Sequence, residues 1–379
     1  VSVAVVTGFK HEIRRKVMGF DSQITIQAWQ KTGPGQYEDI AFSPDSIVTE
    51  AISLTIPDDA VLTYGLRQPG ILKTDEHFLG VMLNGIESSS DRPLIEESIV
   101  SGTIPDFTDA SHNNSVILST STCRVLNLDV NDKVLAYMFI DNRLRVRNLT
   151  VAAIYDTSFG EYDRSYAFCS MSMLQRIMNI DSTAVGSIHI DGLPLGNVPD
   201  IAQDLQTELA TTTYNAGSTL WYQVDDIYHT GALYFNWLDL LDTNVVVILI
   251  LMALVSGFSL VSSLFIIILE RVTTIGLLKS MGATDSMIRR IFILMGQRLV
   301  VLGMVIGNAI ALTLLIAQYN YSFLPLDPDA YYLNHVPVML NWWSILAVNI
   351  GVFTLAWAML LIPACIISRI SPASTMRYE

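Results

Sequence analysis

Three cysteines in 379 residues are too few for a disulfide scaffold, and none stands in the C-x-x-C spacing of a zinc or redox site. H-E-x-x-H, G-x-S-x-G and the phosphate-binding G-x-x-x-x-G-K-[ST] loop are also missing, so no zinc-protease helix, nucleophile elbow or nucleotide site is visible. Charge is scarce, at 15% of residues, against about 25% in ordinary soluble domains. Basic charge is scarcer still, with 22 Lys and Arg against 36 Asp and Glu. That excludes a nucleic-acid binder, which needs a basic surface, and 51% hydrophobic residues exclude a disordered chain.

What is present is unevenly spread. Residues 243–379 hold seven Lys and Arg and five Asp and Glu; residues 1–242 hold the other fifteen and thirty-one. An acidic half is therefore joined to an apolar, slightly basic half. In the latter, three windows, about 245–269, 291–317 and 343–367, are long and apolar enough to span a bilayer. The link between the first two carries Arg271, Lys279, Arg289 and Arg290, and the tail carries Arg369 and Arg377. The link 318–342 has Asp327 and Asp329 and no Lys or Arg. Basic loops stay on the cytoplasmic side, so the 270–290 link is expected inside and the acidic half outside.

Residues 1–8 are apolar but too short to span, and Phe9, Ile13 and Val17 follow at roughly helical spacing. The expectation is the outer end of a first transmembrane helix that begins before this sequence, which makes four spans. A cleaved signal peptide is the alternative, but the basic start and cleavage-site pattern are missing. The expected organisation is 1–18 as the end of that helix and a stalk, 19–224 as a mixed α/β domain, 225–242 as a stalk helix and 243–379 as the membrane domain. Within 19–224, strands are expected at 22–28, 61–64, 78–83, 115–118, 133–139, 144–154, 166–169 and 186–190, and helices at 120–126, 171–178 and 198–210. Breakers at 33–35, 57–59 and 191–192 separate them, and Asp141-Asn142 between alternating runs predicts a short hairpin.

Candidate chemistry in the acidic half is thin. His11, His77, His112, His189 and His229 are scattered, and Cys123 and Cys169 lie where a disulfide is allowed without any sign of proximity. Cys365 reads as a small apolar filler of the last span. Asn113 and Asn148 begin sequons that matter only in a eukaryotic secretory cell. In the membrane half, Gly303, Gly307 and Ala311 form a small-residue face for close helix packing, and Ser256, Ser259 and Ser263 offer another. Asn308 and Asn349 are expected to face protein rather than lipid, and Pro363 to bend the last span. Only Arg298, near the cytoplasmic end, is charged within a span, which argues against a proton- or ion-coupled carrier.

The link after the first long span is the most informative stretch. Ile275, Leu278 and Met281 lie along one side of a short amphipathic helix, Gly282 breaks it, and Thr284 is placed to cap the next. Such a segment either lies on lipid head groups or inserts into a groove on a cytoplasmic protein. Its Glu270, Arg271, Ile275, Gly276, Leu278, Lys279, Met281, Gly282 and Ala283 resemble the turn of FtsX-like ABC permeases of the MacB and Lol type, with Ser280 replacing a usual small apolar residue. The closing residues 370–379 are similar to that family's tail. Tyr332, Leu333, Asn334, His335, Val336, Pro337 and Val338 resemble the outer-loop segment of its lipoprotein-releasing (LolC and LolE type) branch. Segments 116–134 and 153–168 are similar to the same branch.

This resemblance implies an α-helical membrane protein: a four-span permease, its first span truncated at the N-terminus, carrying a large extracytoplasmic mixed α/β domain of MacB-like type. It implies a seat in a bacterial inner membrane with that domain in the periplasm. The implied partners are a cytoplasmic ABC ATPase dimer docked on the 275–283 turn, a second permease subunit (a homodimer or a heterodimer), a periplasmic lipoprotein carrier, lipoprotein cargo and membrane lipid. No cofactor would be bound by this chain, since ATP and Mg²⁺ belong to the ATPase, and the chain itself would not be an enzyme. The hook that docks the carrier in one branch corresponds here to a short hairpin at Ile140, Asp141, Asn142 and Arg143. Carrier recruitment then falls to the other half of a heterodimer, or a homodimer hands cargo over differently. An efflux permease for peptides or antibiotics, and a non-transporting regulator of a cell-wall hydrolase, are the alternative readings. Coupling through the turn implies that Gly282→Pro, or charges at Ile275 and Leu278, abolish ATPase association.

Overall fold

The computed structural model describes residues 1–33, 36–87 and 92–364. The expected breaker at Pro34-Gly35, Cys365, Arg369, Arg377 and the tail from 370 lie outside the described residues. Helices are α1 Ser2–Phe20, α2 Ser46–Thr55, α3 Pro93–Glu97, α4 Thr120–Leu126, α5 Gly160–Ser165, α6 Met171–Met178, α7 Val198–Asn215, α8 Ile227–Thr230, α9 Ala232–Glu270, α10 Val272–Ser280, α11 Asp285–Tyr321, α12 Pro328–Tyr331 and α13 Trp342–Ala364. Strands are β1 Ile24–Gly33, β2 Gln36–Ile40, β3 Val61–Lys73, β4 Phe78–Ile86, β5 Ile99–Gly102, β6 Ser115–Ser119, β7 Lys133–Ile140, β8 Arg143–Tyr155, β9 Tyr166–Ser170, β10 Ser187–Asp191 and β11 Leu220–Asp226.

The chain divides into two units: one of residues 1–11, 237–325 and 335–379, the other of 12–236 and 326–334. In the α/β unit, β3, β4, β9, β6, β8 and β7 pair in a closed ring, because β7 bonds to β8 on one side and to β3 on the other. Leu72, Leu83, Ala136, Met138, Leu149 and Val151 are fully buried on alternate positions of these strands. The first part of β3 belongs instead to an open array in the order β11-β1-β10-β3.

β3 is much longer than the expected 61–64. Gly65, Pro69 and Gly70 read as breakers, yet each has a place in the strand. Pairing with β10 ends at Gly65 and pairing with β7 starts at Gly70, so Pro69 has one side of the ladder free for its missing N–H. Gly70 faces Leu83 and Met138, where an added Cβ would stand 3.2 and 3.4 Å away. The structure adds several elements that were not expected, β2, β5, α3 and α5 among them, together with β11 and with α2, which is capped by the Asp45 carboxylate on Val48 N at 3.1 Å. The Gln206 side chain from α7 donates to Tyr222 O and accepts from Val224 N, at 2.9 and 2.8 Å, so a side chain covers part of the edge of β11. The stalk expected from 225 opens as the end of β11 and the short α8, and the long helix starts only after Gly231.

The Asp141-Asn142 hairpin is present: Ile140 pairs with Arg143, and Asp141 and Asn142 take φ of 49° and 59°, the two-residue turn that matches strand twist. In the other unit, α9, α11 and α13 are long and apolar enough to cross a membrane, and α1 is not among them. The last helix continues through position 363 to Ala364. Gly65 is held to zero side chain by a buried histidine: its Cβ would fall 2.4 Å from His189 Nε2. Gly65→Ala should destabilise the protein by about 1–3 kcal/mol, read as a lower Tm in detergent; an unchanged Tm contradicts this packing.

Candidate functional site

In the α/β unit, aromatic rings from four separate stretches of chain meet around Phe159. Its ring lies 6.3 Å from Phe20 of α1, 4.8 Å from Tyr162 of α5, 5.0 Å from Tyr234 at the start of α9 and 5.2 Å from Tyr332. Tyr155, Tyr166 and Phe168 extend the cluster around Phe20. Beside it, Lys16 is buried at 7% exposure and donates to the carbonyls of Thr157 and Tyr332, the latter at 2.8 Å. Asp163 is buried too, and accepts from Thr157 Oγ1 at 2.5 Å, Thr157 N at 3.2 Å and Phe159 N at 3.3 Å.

Burial disfavours both charges. It lowers Lys16 to about 8, opposed chiefly by Asp163, and raises Asp163 to about 6, opposed by the Thr157 hydrogen bond. A second polar set pairs Arg67 with Asp21 at 3.0 Å, while Tyr162 donates to the same carboxylate at 2.7 Å. Burial and Asp21 push that phenol up, away from ionisation. The outer-loop resemblance marked Tyr332, and segment 153–168 took in the Phe159 turn, but nothing in the sequence singled out Lys16, Asp21 or Arg67. A lysine at helical spacing among apolar residues carries no mark of burial.

The outer-loop signature divides between the two units. Tyr332, Leu333 and Asn334 belong to the α/β unit, with Leu333 buried and Asn334 Nδ2 donating to Ser158 Oγ at 2.6 Å. His335, Val336, Pro337 and Val338 belong to the membrane-type unit. There His335 bridges Pro325, Val336 exchanges backbone and side-chain bonds with Leu324 and Gln318, and Pro337 O would lie 2.8 Å from a Cβ on Gly8.

In the 270–290 link, α10 ends at Ser280 with Met281 as its C-cap, Gly282 takes φ of +94° and α11 starts after Thr284. Thr284 is the cap residue in backbone geometry, but its hydroxyl meets Ser286 at 3.1 Å instead of a backbone N–H. Ile275 is fully buried against Leu264, Ile268, Ile288, Phe292 and Leu360, with Leu278 and Ala283 packed at the margin. So Ile275 and Leu278 serve this chain's own packing, while Met281 at 83% and Leu277 at 55% exposure face outward. Gly276 is buried; Glu270 and Arg271 are exposed, and Lys279 pairs with Asp285 at 2.9 Å.

The expected small-residue faces do not pack within the chain. An added Cβ at Gly303 or Gly307 meets nothing within 4 Å, Ala311 is half-buried, and Ser256, Ser259 and Ser263 are exposed. Close approach occurs instead at Gly257 on Met359 and Gly296 on Leu360. Asn308 and Asn349 pair reciprocally, at 2.6 and 3.3 Å, between α11 and α13. Cys123 and Cys169 are free and buried, which raises both thiols above their ordinary range. Asn113 is buried, its amide oxygen taken by Ser170 and Ser172 at 3.0 and 2.5 Å. Among the described residues no group of His, Cys, Asp and Glu forms a metal site.

Residues 246–372 match the model of the FtsX-like permease C-terminal family. Over 402 aligned positions the chain is 22% identical to the lipoprotein-releasing system transmembrane protein LolC of Xylella fastidiosa (strain 9a5c), covering 100% of this chain and 90% of the relative. It is 24% identical over 227 positions to LolE of Haemophilus influenzae, covering 57% and 52%. Against the periplasmic region of MacB from Actinobacillus actinomycetemcomitans it aligns over 58% of this chain and 98% of that one, at 15% identity and a TM-score of 0.36.

The raised Asp163 pKa has a definite pH consequence. A carboxyl bound more tightly to its proton when folded contributes stability below its unfolded pKa of 3.8, and that contribution is lost as pH rises through about 6. Wild type should therefore lose about 1–2 kcal/mol relative to Asp163→Asn between pH 5 and pH 7, measured by denaturant unfolding in detergent. A constant difference contradicts the buried, ionising carboxyl.

Proposed function

We propose that this chain is the permease subunit of an ABC transporter that extracts lipoproteins from the outer leaflet of a bacterial inner membrane for transfer toward the outer membrane. The observation that carries this reading is likeness to lipoprotein-releasing permeases along the whole chain, across both the permease domain and the acidic domain. Charge supports the orientation. The 270–290 link is basic and faces the cytoplasm, and the acidic α/β domain lies in the periplasm. ATP and Mg²⁺ are bound by a separate ATPase dimer, and a second permease subunit completes the pair.

The ATPase docks on the outward side of α10, where Leu277 and Met281 are exposed apolar groups next to Gly282. Ile275 and Leu278 hold α10 against α9, α11 and α13, so docking force on α10 is passed into the spans rather than absorbed by a floppy turn. The two-residue hairpin at 141–142 offers no extended hook, and carrier recruitment is assigned to the partner permease. Leu277→Glu combined with Met281→Glu should abolish co-purification of the ATPase while membrane insertion stays at the wild-type level. Co-purification at normal yield overturns the docking assignment.

A further inference from the structure

The chain passes between its two units at four points: within α1, within α9, and at both ends of segment 326–334. The first two crossings are continuous helices. The segment is different, because its nine residues lie between α11 and α13 in sequence and fold as part of the α/β unit. What fixes it there is specific. Lys16 of α1 holds the carbonyls of Thr157 and Tyr332 together, Asn334 donates to Ser158 at 2.6 Å, the Tyr332 ring meets Phe159 at 77°, and Leu333 is buried.

Two features set this apart from ordinary loop packing. Ser158 and Tyr332 both take left-handed backbone, with φ of 57° and 60°, a conformation that costs energy for residues other than glycine and persists only where surroundings impose it. Each strained turn also supplies a carbonyl to the same buried ammonium. A side chain needed only to fill that space would be better apolar, since a buried cation must be given acceptors to offset its lost hydration. Lysine is what the site requires if two carbonyls on separate segments are to be held by one group. The charges around it come from α1 (Glu12, Arg15) and from the 156–163 turn (Asp156, Asp163).

Resting on the permease reading above, we propose that segment 326–334 is a third mechanical tether between the membrane helices and the extracytoplasmic domain, with Lys16 as the residue that positions it. Shifts of α11 and α13 during the ATPase cycle then reach the domain through the latched segment as well as through α1 and α9. The tether belongs to the domain's response to ATP, not to ATP hydrolysis itself.

The test uses the permease with its ATPase in membranes. A Leu333→Cys reporter, buried when the segment is docked, should react slowly with a maleimide in the otherwise wild-type protein and roughly fivefold or more faster with Lys16→Met or with Ser158→Ala plus Asn334→Ala. In the same complexes, lipoprotein released per ATP hydrolysed should fall by a similar factor while hydrolysis is retained. Joining Ser158→Cys to Asn334→Cys with a short thiol-cleavable cross-linker in the Lys16→Met background should restore release, and cleavage should abolish it again. Unchanged labelling in both untethered variants overturns the positioning role. Normal release from an undocked segment, or no rescue by the cross-link, overturns the tether. Failure of the wild-type complex to release any lipoprotein overturns the permease reading instead, and the labelling result still decides whether Lys16 positions the segment.

Discussion

A buried ammonium must be surrounded by acceptors, and the α/β unit is organised to supply them to Lys16. Its Nζ takes the Thr157 and Tyr332 carbonyls. To present those carbonyls, the chain accepts left-handed backbone at Ser158 and Tyr332. Phe159 then lies where rings from α1, α5, α9 and the 326–334 segment converge. The stretches of chain leading toward the apolar helices are thus gathered at one cluster of rings and one cation. Aromatic packing supplies the rigid contact area, and the lysine supplies direction, since apolar contact alone leaves orientation loosely set.

The membrane-type unit solves a different problem. Lipid offers no hydrogen bonds, so its helices carry few polar groups, and Asn308 and Asn349 satisfy one another in a reciprocal pair. At the 270–290 link the apolar residues split by direction. Ile275 and Leu278 bind the turn to the spans, and Leu277 and Met281 remain outward. Rigid attachment on one side and an exposed apolar tip on the other is what a force-transmitting turn needs. The small-residue face at Gly303 and Gly307 is left open in the single chain.

Much of the architecture was legible because strong local patterns coincide with tertiary context. The three spans announce themselves by length and hydropathy, and the 141–142 hairpin by turn chemistry between alternating strands. Helices 120–126 and 171–178 match their expected limits because each follows a short strand and is closed by an asparagine in left-handed backbone. Legibility failed where neighbours decide. Pro69 and Gly70 look like breakers, and only the staggered pairing of β3 with β10 and β7 makes them strand residues. Helical spacing placed Ile275, Leu278 and Met281 on one side, but Met281, at the C-cap of α10, is exposed while Ile275 is buried. The Lys16 site depends on residues 157 and 332, whose distance in sequence hides their proximity; the outer-loop likeness marked Tyr332 without revealing what it holds.

The proposed function joins an acidic α/β domain, three apolar helices and a basic turn into one lipoprotein-releasing permease driven from a separate ATPase. Its most direct test is ATP-dependent release of a lipid-anchored protein from proteoliposomes that contain this permease, its partner subunit and the ATPase. Cargo should leave the membrane for a soluble periplasmic acceptor only when ATP is hydrolysed. Sustained hydrolysis with the cargo still bound to the membrane would contradict it.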